Sequence, residues 1–180
     1  MKTLILFGSP RKDGNTRQLT DAFANAVKKG KGDIRVLYLN DMNIRPCQAC
    51  RKCADTGVCR INDDMKDVYK YVKESDVVVY ATPIYWSGPS AQMKVVMDRS
   101  VAFLDSDFVS RVKGKKGVVL LSCGDDAEEM CGPSREMFRK TFEGLGMIHR
   151  GEVVATGCDD KGTVDEKDLK KAFELATALL

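Results

Sequence analysis

The sequence predicts an α/β fold in which a doubly wound parallel sheet of five strands carries helices on both faces. Strand-like and helix-like segments alternate along the 180 residues. The strand-like runs are continuously apolar, as in parallel sheets that are buried on both sides. Because crossovers between parallel strands are right-handed, this alternation gives a doubly wound sheet. We expect residues 1–180 to form one domain, since the length suits a single core and no repeat divides the chain.

The first half of the chain shows this alternation as far as a long irregular segment. Lys2–Phe7 is an apolar run typical of a buried strand, and Thr16–Lys29 has apolar residues at helical spacing. Ile34–Leu39 is the second predicted strand. Residues 41–64 have no regular pattern and contain four cysteines, and they separate that strand from a second helix over Met65–Glu74.

The second half opens with the clearest strand in the chain. Asp76–Thr82 is continuous and rich in β-branched residues, which is typical of the middle of a parallel sheet. The remaining elements alternate from helix to strand and end on a helix: Pro89–Phe103, Gly117–Cys123, Ser134–Glu143, Ile148–Thr156 and Asp165–Leu180. We place Pro89 in the first helical turn and expect Gly144 and Gly146 to end the helix before them.

Composition and charge exclude several classes of function. The 29 basic residues exceed the 26 acidic ones by three, which is too small and too scattered a surplus to indicate nucleic acid. No apolar run approaches the ~20 residues of a membrane span, and the run before Gly8 is too short for a signal-peptide core. We therefore expect a cytoplasmic protein with neither nucleic acid nor membrane as a partner. A single histidine, His149, excludes a Ser–His–Asp hydrolase triad.

The loop after the first strand, GSPRKDGNT at residues 8–16, has the composition of a phosphate site. Ligands of such folds bind at the carboxyl ends of the strands. The positive end of the following helix, the hydroxyls of Ser9 and Thr16, the Asn15 amide and the Arg11 guanidinium would all face a phosphate. The spacing matches neither a nucleoside-triphosphate loop nor the three-glycine dinucleotide motif, which favours a mononucleotide. The alternative is a plain strand-to-helix turn with Asn15 as the N-cap.

The loop after the third strand contains two adjacent aromatic residues between prolines and a glycine. Pro83, Ile84, Tyr85 and Trp86 would form a stiff apolar wall suited to a flat ring such as isoalloxazine. The alternative is that Tyr85 and Trp86 fill a gap in the core or at a subunit interface. Its position opposite the first loop favours a ligand.

Four of the seven cysteines fall within thirteen residues, in the pattern Cys-x2-Cys-x2-Cys-x5-Cys formed by Cys47, Cys50, Cys53 and Cys59. An odd total and a reducing cytosol argue against a permanent disulfide framework. Four thiolates are the ligands of an iron–sulfur cluster, and the compact first part can direct three sulfurs at one cubane. Zinc also accepts four thiolates, although it more often uses two separated Cys-x2-Cys pairs. Free thiols that form a reversible disulfide are the third interpretation.

The two loops GSPRKDGNT and TPIYWSGPSAQMK, together with the cysteine segment, resemble the NADPH-dependent FMN reductase family. The iron–sulfur flavoprotein branch is the most similar, and the resemblance extends from Lys2 through at least Arg99. It implies a flavodoxin-like fold that binds FMN without a covalent link. It further implies an FMN-dependent oxidoreductase, reduced by NAD(P)H or an iron–sulfur partner, that assembles as a homodimer or homotetramer.

The resemblance also assigns residues to the cofactors. Ser9, Arg11, Asn15 and Thr16 would hold the FMN phosphate, and Pro83 to Trp86 would line the flavin. Cys123 and Gly124, after the fourth strand, would form a remaining wall. The four clustered cysteines would hold a [4Fe–4S] cluster, although many relatives keep several of these cysteines without one.

Three functions remain open at this point. The first is an electron-transfer flavoprotein that passes electrons between FMN, a [4Fe–4S] cluster and NAD(P)H or a ferredoxin-like protein. The second is a cluster-free NAD(P)H-dependent reductase of FMN, quinones or nitro compounds. The third belongs to another class, a ligand-binding redox sensor built on zinc or on thiols.

Overall fold

The computed structural model describes residues 1–124, 128–158, 162 and 164–180. Five long strands and one two-residue strand occur in it: β1 Lys2–Phe7, β2 Asp33–Tyr38, β3 Val77–Tyr85, β4 Gly88–Pro89, β5 Lys116–Ser122 and β6 Ile148–Ala155. The five long strands are parallel and lie in the order β2-β1-β3-β5-β6. This is the flavodoxin-like strand order, so the predicted fold class is confirmed.

Helices cover both faces of the sheet. They are α1 Asn15–Lys29, α2 Lys52–Thr56, α3 Met65–Glu74, α4 Ala91–Arg99, α5 Glu128–Gly144 and α6 Glu166–Thr177. One core lies between the sheet and α3, α4 and α5, and the other lies between the sheet and α1 and α6. No helix in the described ranges is long and apolar enough to cross a membrane.

Strand β1 shows why both faces of the sheet are buried. Leu4 and Leu6 point into the first core, whereas Ile5 and Phe7 point into the second, and all four are fully buried. Alternation with a period of two places successive side chains on opposite faces, so a continuously apolar strand needs a helical layer on each side.

Several boundaries differ from the prediction. Strand β3 continues to Tyr85, so Pro83 to Tyr85 belong to the strand and not to the loop after it. Pro89 belongs to β4, not to a helix, and Ser90 is the N-cap of α4. That helix ends at Arg99 and continues as a 3-10 turn over Ser100–Phe103. Helix α5 begins six residues before the predicted Ser134 and includes Pro133. The cysteine segment, predicted to be irregular, contains the short helix α2.

Candidate functional site

A cleft lies at the carboxyl ends of β1, β3 and β5, where the fold class predicts a ligand. Its volume is about 210 Å³. It is lined by eleven residues: Ser9, Arg11, Gly14, Asn15, Thr16, Pro83, Ile84, Tyr85, Ser122, Gly124 and Cys158. The structure therefore brings together eight of the ten residues that the sequence assigned to the flavin.

Two of the ten predicted residues lie elsewhere. Trp86 is 99% exposed and does not line the cleft, and Cys123 is buried in the core beneath it. The backbone of Cys123 bonds two neighbouring residues. Its N–H donates to the carbonyl of Ala155, and its carbonyl accepts from the N–H of Cys158. Of this pair of cysteines, it is Cys158 that borders the cleft.

The start of α1 presents an anion-binding end to the cleft. Gly14 is the N-cap and makes no side-chain capping bond, and the first turn contains no acidic residue. No carboxylate within the first turn therefore compensates the positive end of the helix dipole. Within the described chain, the exposed guanidinium of Arg11 has no hydrogen-bond or ion-pair partner. The buried Ser9 hydroxyl bonds the Arg11 backbone, with its Oγ 3.1 Å from both the N and the O atom.

The polar side chains after Gly14 also connect the walls of the cleft. The hydroxyls of Thr16 and Ser122 are 2.7 Å apart and buried, which joins α1 to the end of β5. Asn15 donates from Nδ2 to the carbonyl of Cys158 and accepts from the N–H of Gly162. Asn15 is the first helical residue, so the plain N-cap alternative for it does not describe this turn.

The buried Ser90 fixes the loop after β1 to the end of β3 and the segment that follows it. The Ser90 hydroxyl donates to the carbonyl of Gly8 at 2.6 Å and accepts from the hydroxyl of Thr82 at 3.2 Å. A Cβ atom at Gly8 would lie 2.9 Å from the Cβ of Met93 and 3.1 Å from Ser90 Oγ. Glycine at position 8 therefore permits the close approach that places the two loops side by side.

The aromatic loop is a tight hairpin whose tip is Trp86. Tyr85 pairs with Gly88, and the two residues between them, Trp86 and Ser87, both have positive φ, 51° and 60°. This is the backbone of a type I′ turn, which usually takes Asn or Gly at these positions. Ser134 of α5 anchors the turn by donating its hydroxyl to the carbonyl of Ser87 at 2.7 Å. The turn is thus fixed in a form that keeps the Trp86 ring in solvent beside the exposed Tyr85.

The second feature is a cavity of about 260 Å³ in the cysteine segment. All four predicted ligands, Cys47, Cys50, Cys53 and Cys59, line it, together with Arg51, Arg60 and Arg99 among others. Cys53 is buried, Cys59 is partly buried, and the other two are exposed. Burial raises the pKa of the Cys53 thiol, and negative charge on the three neighbouring cysteines would raise it further.

Arg99 forms the floor of this cavity and is 1% exposed. Its Nη1 lies 2.5 Å from Oδ2 of the equally buried Asp63, and its Nη2 lies 3.3 Å from Sγ of Cys59. Burial alone would raise the pKa of Asp63, but hydrogen bonds from Arg99 and from the backbone of Arg45 lower it overall. The pair is therefore ionised, which limits the cost of burying both charges.

The residue types at this cavity fit an iron–sulfur cluster, but the positions of the cysteine side chains fit one less well. Four thiols beside three arginines match a ligand set whose negative charge needs compensation. Among the residues that the structure describes, however, no three His, Cys, Asp or Glu side chains are grouped as a metal site. Lining one cavity is a looser condition than converging on one point, so some of the four thiols would have to move to bind a single cluster.

Helix α4 connects the two features. It begins at Ser90, which bonds both loops of the cleft, and ends at Arg99, which contacts Cys59. Its nine residues span about 13 Å at 1.5 Å per residue. The cleft and the cysteine cavity therefore lie at opposite ends of one short rigid element.

The cofactor residues assigned from the sequence do not include Gly14, Ser122 and Cys158 in the cleft or Arg99 in the cysteine cavity. The carboxyl-edge rule could have indicated Ser122 and Cys158, because both lie at or just after the ends of strands. From the sequence, Arg99 is interpreted as structural, and no pattern indicates its contact with Cys59, which joins residues 40 positions apart.

Known proteins support the same assignment. The family model for NADPH-dependent FMN reductase matches residues 1–161. An iron–sulfur flavoprotein of Archaeoglobus fulgidus is 30% identical over 181 aligned positions, covering 99% of this chain and 79% of that protein. One from Methanocaldococcus jannaschii is 38% identical over 100 residues, 56% of this chain, and this chain covers only 52% of it.

A solved structure agrees on the fold. The NAD(P)H:quinone oxidoreductase from Methanothermobacter marburgensis superposes with a TM-score of 0.79 at 20% identity, covering 99% of this chain and 96% of that one. With the family match over most of its length, the chain belongs to the NADPH-dependent FMN reductase family of FMN-dependent oxidoreductases.

Proposed function

We propose that this protein passes electrons between FMN in the cleft, a [4Fe–4S] cluster on Cys47, Cys50, Cys53 and Cys59, and a redox partner. The observation that carries the proposal is that all four cysteines line one cavity at the far end of α4 from the cleft. When bound, FMN supplies transfer of one or two electrons and the cluster supplies transfer of single electrons. The protein would thus connect a two-electron donor such as NAD(P)H to a one-electron partner.

The start of α1 supports binding of the FMN phosphate. The backbone N–H groups after Gly14 and the Arg11 guanidinium would bind its oxygens, and the Ser9 hydroxyl would hold the Arg11 backbone in place. Thr16 would act both on the phosphate and on Ser122, to which its hydroxyl is already bonded. Electron transfer itself requires no acid–base side chain, which agrees with a cleft lined by neither histidine nor carboxylate in the described chain.

The size of the cleft supports a second copy of the chain as a partner. A volume of about 210 Å³ is below the roughly 300–1,000 Å³ typical of small-molecule sites. FMN would therefore fill the cleft with its phosphate end and extend its ring past Tyr85 towards Trp86. An exposed tryptophan on a fixed turn is suited to cover a ring in a homodimer or homotetramer.

The charge of the cysteine segment supports an acidic protein partner. Residues 45–60 contain four basic side chains and a single acidic one, Asp55. This positive surface would attract a small acidic electron carrier of the ferredoxin type, and attraction between net charges accelerates such encounters.

The first experiment is an absorption spectrum of protein purified without oxygen, with iron and sulfide assays on the same sample. Flavin bands over a broad cluster shoulder, with roughly four irons per chain, are the expected result. Flavin bands without iron would rule out the cluster and leave a plain reductase. A colourless protein that does not bind added FMN would overturn the flavoprotein assignment as well.

A cysteine variant then tests the relay. Cys50→Ala should abolish iron binding and electron transfer to the protein partner while FMN affinity stays unchanged, because Cys50 does not line the cleft. Cys131→Ala is the control, since that buried cysteine belongs to the core and not to the segment. Equal rates of partner reduction by wild type and Cys50→Ala would refute the relay.

A second candidate is a cluster-free NAD(P)H-dependent reductase of FMN, quinones or nitro compounds. The observation favouring it is that the sulfurs do not converge on one point in the described chain. It predicts that Cys50→Ala reduces a small quinone as fast as wild type does in iron-free preparations. The same observation leaves a zinc- or thiol-based redox sensor as the candidate from another class, and stoichiometric zinc in a colourless protein would favour it.

A further inference from the structure

We propose that Arg99 is a positioning residue, which fixes Cys59 and supplies the buried positive charge that favours reduction of the group held by the four cysteines. This inference rests on the cluster proposed above. Arg99 does not line the flavin cleft, and the four-cysteine pattern gives no indication of it.

One guanidinium holds both ends of the cysteine segment. Nη1 of Arg99 donates to the carbonyl of Arg45 at 3.0 Å, two residues before Cys47. Nη2 donates to Sγ of Cys59, the last of the four cysteines. Because Arg99 is also the last residue of α4, the segment is fixed to the helix that leads to the cleft.

One donor of this guanidinium is unused. Nε of Arg99 is buried, and in the described part of the chain it has no hydrogen-bond partner. A buried donor without an acceptor is costly, so an acceptor that came within reach of Nε would be favoured. Cysteine thiolates and the inorganic sulfides of a cluster are acceptors of this kind.

Arg99 differs in its surroundings from the other arginines of the cavity. Arg51 and Arg60 are exposed, so water and salt screen their charges. Arg99 is held in the interior by Asp63. Its Nη1 donates to the Asp63 carboxylate, and its Nη2 donates to the sulfur of Cys59. The guanidinium therefore stands between the carboxylate and the sulfur, and its positive charge is the nearer of the two charges to Cys59.

The consequence concerns the oxidised and reduced forms. Adding one electron to the group on the four cysteines adds one negative charge next to Arg99, and a nearby positive charge in a weakly screened site stabilises it. Removing that charge should lower the ratio of reduced to oxidised form at a fixed potential by at least about tenfold, which is 59 mV for a one-electron couple.

The test compares variants of the anaerobically purified holoprotein by iron and sulfide content and by the midpoint potential in a redox titration. Arg99→Gln should lower the midpoint potential by at least about 59 mV. Arg99→Lys keeps the charge and should have a midpoint potential close to that of the wild type. Arg60→Gln removes the same charge from the solvent-exposed rim and should leave the potential nearly unchanged. If Arg99→Gln does not fold because Asp63 is left unpaired, the double variant Asp63→Asn/Arg99→Gln takes its place and should also lower the potential.

The outcomes separate the two proposals. A wild type that binds iron, with equal potentials in Arg99→Gln, Arg99→Lys and Arg60→Gln, would overturn the role of Arg99 and leave the cluster in place. An equal decrease in Arg99→Gln and Arg60→Gln would also overturn it, because burial would then have no effect. A wild type without iron would overturn the cluster, and the proposed role of Arg99 with it.

Discussion

Ser90→Ala should destabilise the protein far more than the loss of one hydroxyl from a surface would. Ser90 is fully buried, and its Oγ is the meeting point of three elements. It donates to the Gly8 carbonyl after β1, accepts from Thr82 on β3, and accepts from the N–H of Met93 in the first turn of α4. Alanine keeps the backbone and removes all three bonds.

The magnitude follows from the separate losses. Removing a serine N-cap costs about 1 kcal/mol, within a range of about 0.5–2 kcal/mol. Taking the donor away from the buried Gly8 carbonyl costs a further ~1–3 kcal/mol of uncompensated desolvation. Because the bonds share one atom and are not additive, we expect the free energy of unfolding to fall by roughly 2–4 kcal/mol.

Denaturant unfolding of the FMN-free protein measures this decrease, with the m-value checked for constancy so that the shift reports stability alone. Ser100→Ala is a matched control, since Ser100 follows the other end of α4 and is also buried. Among the described residues, its hydroxyl bonds only the carbonyl of Val96, four residues earlier. That loss should cost below about 1 kcal/mol. Equal effects of the two substitutions would refute the view that Ser90 holds the loops of the cleft together.

Three further predictions concern single side chains. Arg11→Ala should weaken FMN binding by about 1.5–3 kcal/mol, roughly 10- to 150-fold, as expected for a charged hydrogen bond. The control is Lys12→Ala, which loses an exposed ion pair with Asp41 and a contact with the Tyr38 ring. An unchanged FMN dissociation constant in Arg11→Ala would exclude the phosphate contact. Asp63→Asn should cost about 3–5 kcal/mol of unfolding free energy at pH 7, because it leaves a buried arginine charge unpaired. Since the native pKa of Asp63 lies below its ordinary 3.8, the stability that its ionised carboxylate contributes is present above pH 3.8 and is lost as pH falls through the native pKa. A difference in unfolding free energy between wild type and variant that does not narrow from pH 7 to pH 3 would contradict this. Trp86→Ala should change the unfolding free energy by no more than ~0.5 kcal/mol, because the ring is in solvent. It should weaken FMN binding when binding is measured at subunit concentrations that favour assembly. Unaltered FMN affinity under those conditions would count against a covering role for the ring.

The sequence was a good guide where a single physical rule decides the outcome. The runs Leu4–Phe7 and Val77–Ala81 alternate between two apolar cores, and their continuity alone required a sheet covered on both faces. The position of the cleft followed from the carboxyl-edge rule, which brought Arg11 and Tyr85 together although they are distant in the chain. The single-domain organisation and the cytoplasmic location stay predictions.

The sequence was a poor guide where tertiary contacts decide the outcome. The fourth helix is predicted to begin at Ser134, yet α5 begins at Glu128 and runs through Pro133. Two consecutive residues with positive φ place the Trp86 side chain in solvent and not in the cleft, and its contact with a flavin stays a prediction. No local propensity favours that turn for Trp and Ser, and it depends on an anchoring bond from Ser134.

Helix α4 gives a physical reason to expect that the two halves of the proposed function depend on each other. Its N-terminal end is fixed by Ser90 to both loops of the cleft, and its C-terminal Arg99 is fixed by Asp63 and Cys59 to the cysteine segment. A nine-residue helix packed on its core side by Met93 and Val96 moves as one body. A shift of the Gly8 loop when FMN binds would therefore reach Arg99 through the helix axis. Cysteine geometry and flavin occupancy should be coupled through this helix, and that coupling would be weakened first by the loss of the Ser90 hydroxyl.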